Sequence, residues 1–341
     1  MQQKDSERLV YLLLAANVTT ALYDIFVDKL AIKQRESSEL DFANVFQVVG
    51  YKLGLMLTGG FVLFLTSHHY VPHIEAFALS PLVSATVLLS MSMWTYFTAI
   101  SATNTSTTTM NTASTDSTIN THHKPFTKVY LLIYSHFKSH ILLYAMLFTY
   151  KAGESTGDSL FKPFLRDSGF DLKTLSKMGL INEVVSILGS LTMVKNNKST
   201  RKSADMKQLK LFLVMNIIPQ CLRALVVCNS QFQHFAPVAA ITMIEHFIGG
   251  AVTVACFNFM FSNVIHSIEG THYAVYSSIE VLGKICASFV ANFVVESVGF
   301  KGTFASAVAL SVVPVVLCSI GGIGGTDRSE SSDGNDEKKE L

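Results

Sequence analysis

The sequence predicts an all-α integral membrane protein, a bundle of about nine transmembrane helices. Three observations lead there. Hydrophobic residues make up 49% of the 341 residues against 15% charged, with a mean hydropathy of +0.38, a balance unusual for a domain folded in water. Apolar runs recur along the chain at the length a bilayer demands, since a helix rising about 1.5 Å per residue needs about 20 apolar residues to cross about 30 Å of hydrocarbon. Finally, the charges inside those runs are few and scattered, as expected where each costs about 2.5 to 3.5 kcal/mol at a helix centre.

Taken in order, the windows are 9–28, 44–66, 76–99, 139–162, 174–194, 209–228, 236–262, 272–294 and 303–324. The first starts at Leu9 after a polar stretch and stops at Asp28-Lys29; no small-residue cleavage site follows it, so it is expected to stay in the chain rather than act as a removable signal. In the second, Gly50, Gly54, Gly59 and Gly60 favour close helix approach. The third ends at residues 101–123, almost all Ser, Thr, Asn and small residues, a composition that buries too little apolar surface to order itself and reads as a flexible linker. The fourth and eighth are the most polar, and the basic stretch Lys195 to Lys210 is expected as a loop between the fifth and sixth. Residues 326–341 form an acidic, solvated tail. The domains expected are therefore a three-helix bundle (1–99), a linker (100–128), a six-helix bundle (129–325) and the tail.

Loop charge sets orientation, because Lys and Arg concentrate on the cytoplasmic side. Placing the linker inside collects Lys29, Lys33, Arg35, Lys195, Lys198, Arg201 and Lys202 there and leaves Lys4 and Arg8 outside. The C-terminus is then inside and the N-terminus outside. A net charge of +1 argues against nucleic acid as a partner. Cys221, Cys228, Cys256, Cys286 and Cys318 sit singly in apolar runs, read as buried and inert, and His68-His69 and His122-His123 lack carboxylate or thiol neighbours; no metal or cofactor is expected.

Ionisable residues within spanning windows mark a cavity or an internal pair. Lys151, Glu154 and Asp158, spaced by three and four, share one helical face. They can line a solute pathway, with Lys151 meeting an anion and a carboxylate exchanging protons, or they can form a structural ion pair. Lys52, Arg223 and Lys284 are isolated positive charges that either point into the same cavity or snorkel to an interface. Glu280 and Lys284, four apart, suit an intrahelical pair. Asp24 and Asp28, near Lys29, Lys33 and Arg35, fit a gate latch. Glu245 and His246 are adjacent and project about 100° apart, which argues against a shared proton relay.

Three stretches carry a family resemblance. Tyr23-Asp-Ile-Phe-Val-Asp28 followed by Asn44-Val-Phe-Gln-Val-Val-Gly-Tyr-Lys-Leu-Gly54 resembles the fourth and fifth helices of the major facilitator branch that holds the muropeptide permease AmpG and the acetyl-CoA transporter. Tyr150-Lys-Ala-Gly-Glu154 running on to Lys162-Pro-Phe-Leu165 resembles its seventh helix. Gly270-Thr-His-Tyr-Ala-Val-Tyr-Ser-Ser-Ile-Glu-Val-Leu-Gly-Lys284 resembles its eleventh, most of all in the orphan eukaryotic members called major facilitator superfamily domain-containing protein three. The resemblance implies that the nine windows are the family's fourth to twelfth helices, with the first three absent. It also implies an alternating-access transporter of a small solute, an anionic metabolite such as acetyl-CoA among the candidates, with protons as a coupling ion. Two rival expectations are a truncated, non-transporting form and a membrane-embedded acyltransferase. The second lacks any GxSxG or HExxH motif at a helix end.

Overall fold

The computed structural model describes residues 40–57, 126–193 and 201–320, with the single positions 64, 66, 86, 89, 90 and 93. The window at 9–28 with Asp24 and Asp28, most of that at 76–99, the linker 101–123 and the tail therefore lie outside the described residues. Within them all regular secondary structure is helical: α1 (Leu40–Leu55), α2 (Phe126–Ser139), α3 (Ile141–Thr149), α4 (Ala152–Asp167), α5 (Leu172–Leu191), α6 (Arg201–Cys228), α7 (Phe235–Ser262) and α8 (Glu269–Ile320), with short 3₁₀ turns at Ser230–Phe232 and His266–Ile268. Among the described residues, three segments are long and apolar enough to cross a membrane, Asp205–Cys228, Phe235–Ser262 and Glu269–Ile320. The bent pair Lys128–Ser139 and Ile141–Asp167 makes a fourth if counted as one span.

Several boundaries differ from the sequence expectation. The apolar window at 139–162 starts with a break at His140, where the chain turns by 84° out of α2. Helix α2 itself begins at Phe126, inside the stretch read as linker. Residues 201–210, expected as loop, form the start of α6. The windows at 272–294 and 303–324 are joined with a single non-helical residue, Gly299, between them (φ 70°, ψ 179°). A left-handed φ of that kind costs glycine little and a residue with a Cβ much more. The chain reverses there. Before the joint, Ser288 donates to the Ser155 carbonyl (3.2 Å); after it, Phe304 meets Phe161, and Ala307 and Ser311 crowd Gly153. The two limbs of α8 thus run up one flank of α4 and down another.

The distribution of side chains is inverted relative to a protein folded in water. On α6, Leu211, Val214, Ile218 and Leu225 face outward while Asn216, Gln220 and Arg223 are buried. On α5, Ile181, Val184, Leu188 and Leu191 face outward while Ser176, Asn182, Ser186 and Ser190 are buried. Polar groups turned inward and branched aliphatics turned outward suit a surrounding of acyl chains. The cysteine expectation fails in part for the same reason. Cys256 and Cys318 are buried, but Cys221 and Cys228 lie on the outer face, and Cys286 is half-buried.

Helix α7 lies against α5 and α6, α8 against α3, α4 and α6, and α1 docks on α5 and α7. The α5–α7 crossing is close because it is built from small residues: a Cβ on Gly250 would stand 2.1 Å from the Ser186 carbonyl oxygen, and one on Gly189 would stand 1.9 Å from that of Phe247. Two apolar clusters result. One gathers Leu143, Leu147, Leu209, Leu213, Ile248 and Tyr273, with Val45 and Val48 of α1. The other gathers Leu160, Phe161, Phe164, Val226, Val238 and Phe304. Along α6 and α7, and between Tyr150 and Leu160 at the start of α4, a polar stretch separates the residues of the first cluster from those of the second.

Candidate functional site: a charged layer between two apolar clusters

The polar stretches of the three helices meet in one layer. Helix α4 contributes Glu154 and Asp158 and its N-cap Lys151, α6 contributes Asn216, Gln220 and Arg223, and α7 contributes Glu245. Helical geometry explains the convergence. Spacings of three and four keep each set on a single face, and the clusters above and below fix that face inward.

At its centre is Arg223, almost fully buried. Its Nη2 meets Asp158 Oδ1 at 2.6 Å and also contacts Glu245 Oε2. Its guanidinium carbon lies 4.8 Å from the centroid of the Phe161 ring, on which the flat cation rests. Gln220 Nε2 donates to Glu245 Oε1 (3.0 Å). Next along α4, Lys151 Nζ pairs with Glu154 Oε1 at 2.8 Å, and Asn216 Nδ2 donates to Glu154 Oε2 (3.3 Å). The turn at Tyr150 and Lys151, between α3 and α4, is what carries the Lys151 amine into this layer. One nitrogen of Arg223 thus serves two carboxylates. Its Nε and Nη1, and the side-chain oxygens of Asn216 and Gln220, have no hydrogen-bond partner among the described residues.

Room for the guanidinium comes from Gly157: a Cβ there would lie 2.9 Å from Arg223 Nη1 and 3.1 Å from Gln220 Oε1. A cavity of about 340 Å³ opens onto the layer. Lys151, Glu154, Asp158, Arg223 and Glu245 line it, with His246 from α7, Lys162 from α4 and Asn182 and Glu183 from α5. Helix α1 closes one side with Tyr51, Lys52 and Leu55, and Lys52 Nζ reaches Glu183 Oε2 at 3.3 Å.

Of the residues singled out from sequence, Lys151, Glu154, Asp158, Arg223 and Lys52 come together around this cavity. Lys284 reaches its edge, while Glu280 lies deeper, accepting from the Tyr150 hydroxyl (2.5 Å) and forming an ion pair with Lys284. The intrahelical pairing of Glu280 with Lys284 is therefore present. So is the internal pairing of Lys151 with Glu154, without removing either from the cavity wall. Asp24 and Asp28 are outside the described residues.

The sequence reading set Glu245 aside, yet it stands at the centre. It also passed over Glu183, Asn216 and Gln220. The spacing Asn216, Gln220, Arg223 was a usable signal, because it places two amides on the arginine's own face. A second polar group lies at the α3 end of the molecule. There the Ile265 amide donates to His272 Nδ1 (3.0 Å), so a neutral His272 carries its proton on Nε2 and donates to the Tyr144 hydroxyl (2.9 Å). That hydroxyl is then free to donate to His136 Nδ1 (3.1 Å). No family model matches the chain.

Proposed function

We propose that this chain is a transporter of the major facilitator type, carrying a small anionic solute by alternating access, with protons as the coupling ion. The observation that carries the reading is the charged layer held midway between two apolar clusters, in helices whose outer faces are oily. A buried ion-pair network with its own cavity is costly to keep for stability alone, since well-packed apolar residues would often serve as well. A solute site between bundles is where such a network has a use. The motif resemblances at 23–54, 150–165 and 270–284 support the same family.

Charge supports the solute class. Lys52, Lys151, Lys162, Arg223 and Lys284 all line the cavity. The Nε and Nη1 of Arg223 are buried and unpartnered in this conformation; once opened to the cavity they would serve an arriving carboxylate or phosphate as charge-assisted donors, worth about 1.5 to 3 kcal/mol each. At about 340 Å³ the cavity is near the lower end of the roughly 300 to 1,000 Å³ typical of ligand sites. In this conformation that suits a small carboxylate or phosphate ester better than a whole acetyl-CoA. Asp158 and Glu245 against one guanidinium leave one negative charge in excess, which a proton on Glu245 would cancel. Solute binding at Arg223 and protonation of Glu245 would then favour each other, the coupling a symporter needs.

The test is uptake into proteoliposomes of labelled small carboxylates, phosphate esters and acetyl-CoA, with and without an imposed proton gradient. At least one small anion should enter faster than into empty vesicles and faster still with the gradient. Glu245→Gln should keep gradient-independent exchange but lose the stimulation, and Arg223→Lys, which supplies charge without the planar fork, should bind the solute at least tenfold more weakly. Uptake equal to empty vesicles for every solute class would end the proposal.

A further inference from the structure

Helix α8 grips the joint between α3 and α4 at three points. Before the joint, α3 packs so close that a Cβ on Gly283 would stand 1.9 Å from the Phe148 carbonyl oxygen. After it, a Cβ on Gly153 would stand 2.4 Å from the Ala307 carbonyl oxygen on the other limb. Between these two backbone contacts lies the joint itself, where Lys151 departs from helical angles (φ −113°, ψ 10°). There the hold is made by a side chain. Tyr150 is 2% exposed, its ring belongs to the first apolar cluster, and its hydroxyl donates to Glu280 Oε1 at 2.5 Å. Glu280 is equally buried, and the same oxygen meets the amine of Lys284, whose side chain stands at the cavity edge.

Arg223 and Glu245 carry the proposed coupling, and Glu280 has no part in it. We propose that Glu280 is a positioning residue for Lys151: by holding the Tyr150 hydroxyl it sets the rotation of the joint, and so keeps the Lys151 amine on Glu154 and at the cavity wall. Neighbouring residues of a helical turn project about 100° apart, so a fixed Tyr150 restricts where the next side chain can point. Lys151 Nζ is found 2.8 Å from Glu154 Oε1. A carboxylate paired with a lysine is a fitting anchor, because its hydrogen bond from the phenol is charge-assisted and Lys284 balances a charge that would be costly to bury alone. Without Glu280 the Tyr150 hydroxyl would be left unpaired in the core, and the ring would turn to find another partner and take the joint with it. What Lys151 is for rests on the solute reading above; where its amine stands does not.

The experiment follows the Lys151 amine directly, in the full chain in detergent. Acetylation of Lys151 by an N-hydroxysuccinimide ester is timed by mass spectrometry against that of Lys162, an exposed lysine of α4 that lines the same cavity. In Tyr150→Phe the amine should come off Glu154 and react faster, raising the Lys151-to-Lys162 ratio about threefold or more. Glu280→Leu should raise it as much, and the two substitutions together no further, since they cut one link. Glu280→Gln, which keeps an oxygen for the phenol, should stay near the wild-type ratio. An unchanged ratio in Tyr150→Phe would overturn the proposal even where Glu280→Leu fails to fold. So would a rise confined to Glu280→Leu, which would mean that its charge acts without Tyr150, and a parallel rise at every lysine, which would mean general loosening. Binding of labelled acetate and inorganic phosphate is measured on the same proteins and should weaken about tenfold in Tyr150→Phe. Wild-type protein that binds neither anion, with the labelling ratios as expected, would sink the solute reading and leave the placement of Lys151 standing.

Discussion

Gly157 governs the charged layer although it carries no side chain. A methyl group there would press on Arg223 Nη1 at 2.9 Å, the far end of a flexible chain, so the arginine would shift while the helix stayed intact. Alanine is also the better helix former by about 1 kcal/mol. Gly157→Ala is therefore expected to leave the melting temperature in detergent level or slightly higher, while weakening solute binding about ten- to hundred-fold, the loss of a charge-assisted hydrogen bond. Stability and affinity moving in opposite directions would separate a site residue from a packing residue. Lys151, Glu154 and Asp158 were legible as one face because spacings of three and four need no knowledge of neighbours. Glu245 was not legible. Helix α7 is apolar around nearly its whole circumference and buried along much of its length, so no stripe in its sequence says which side faces Arg223.

Among the elements, α7 matched its window almost to the residue because strong apolar runs have clear ends, whereas α2 and α6 did not. Lys128 and Lys138 dilute the apolar signal of α2, and a bend at His140 leaves no glycine or proline to announce it. Helix α5 starts at Leu172, two residues before the window placed at 174–194. Asp171 is its N-cap, its carboxylate accepting from the Thr174 amide (3.2 Å), and that hydrogen bond holds the carboxyl below its ordinary value in the loop that joins α4 to α5. The sign follows from linkage. A depressed folded value means the cap's contribution is complete above the unfolded value of about 3.9 and is lost as pH falls through the lower folded value. Protection of the Thr174 amide, its exchange taken relative to the intrinsic rate, should be constant from neutral pH down to about pH 4 and fall below that. Asp171→Ala should show the faster exchange at every pH, and an identical profile in both proteins would refute the cap.

For the whole molecule, the oily outer faces and inward polar residues were foreshadowed by composition, and the charged layer by the placement of ions in apolar windows. What sequence could not supply was depth. Whether Arg223 and Asp158 stand at the same level depends on how far α4 and α6 slide along each other, and that is set by tertiary contacts such as Phe304 on Phe161. The joint at Gly299 has a practical consequence for anyone who needs to label this protein. Most inter-helix turns tolerate foreign sequence because they hang in solvent, but here one residue makes the whole reversal, and its neighbours on both sides are already helical. A short epitope inserted after Gly299 should abolish recovery of monodisperse protein, while the same epitope after Gln231, in the exposed turn between α6 and α7, should be accepted. The two limbs of α8 are thus one hairpin without a handle, and reporters for that half of the protein belong elsewhere.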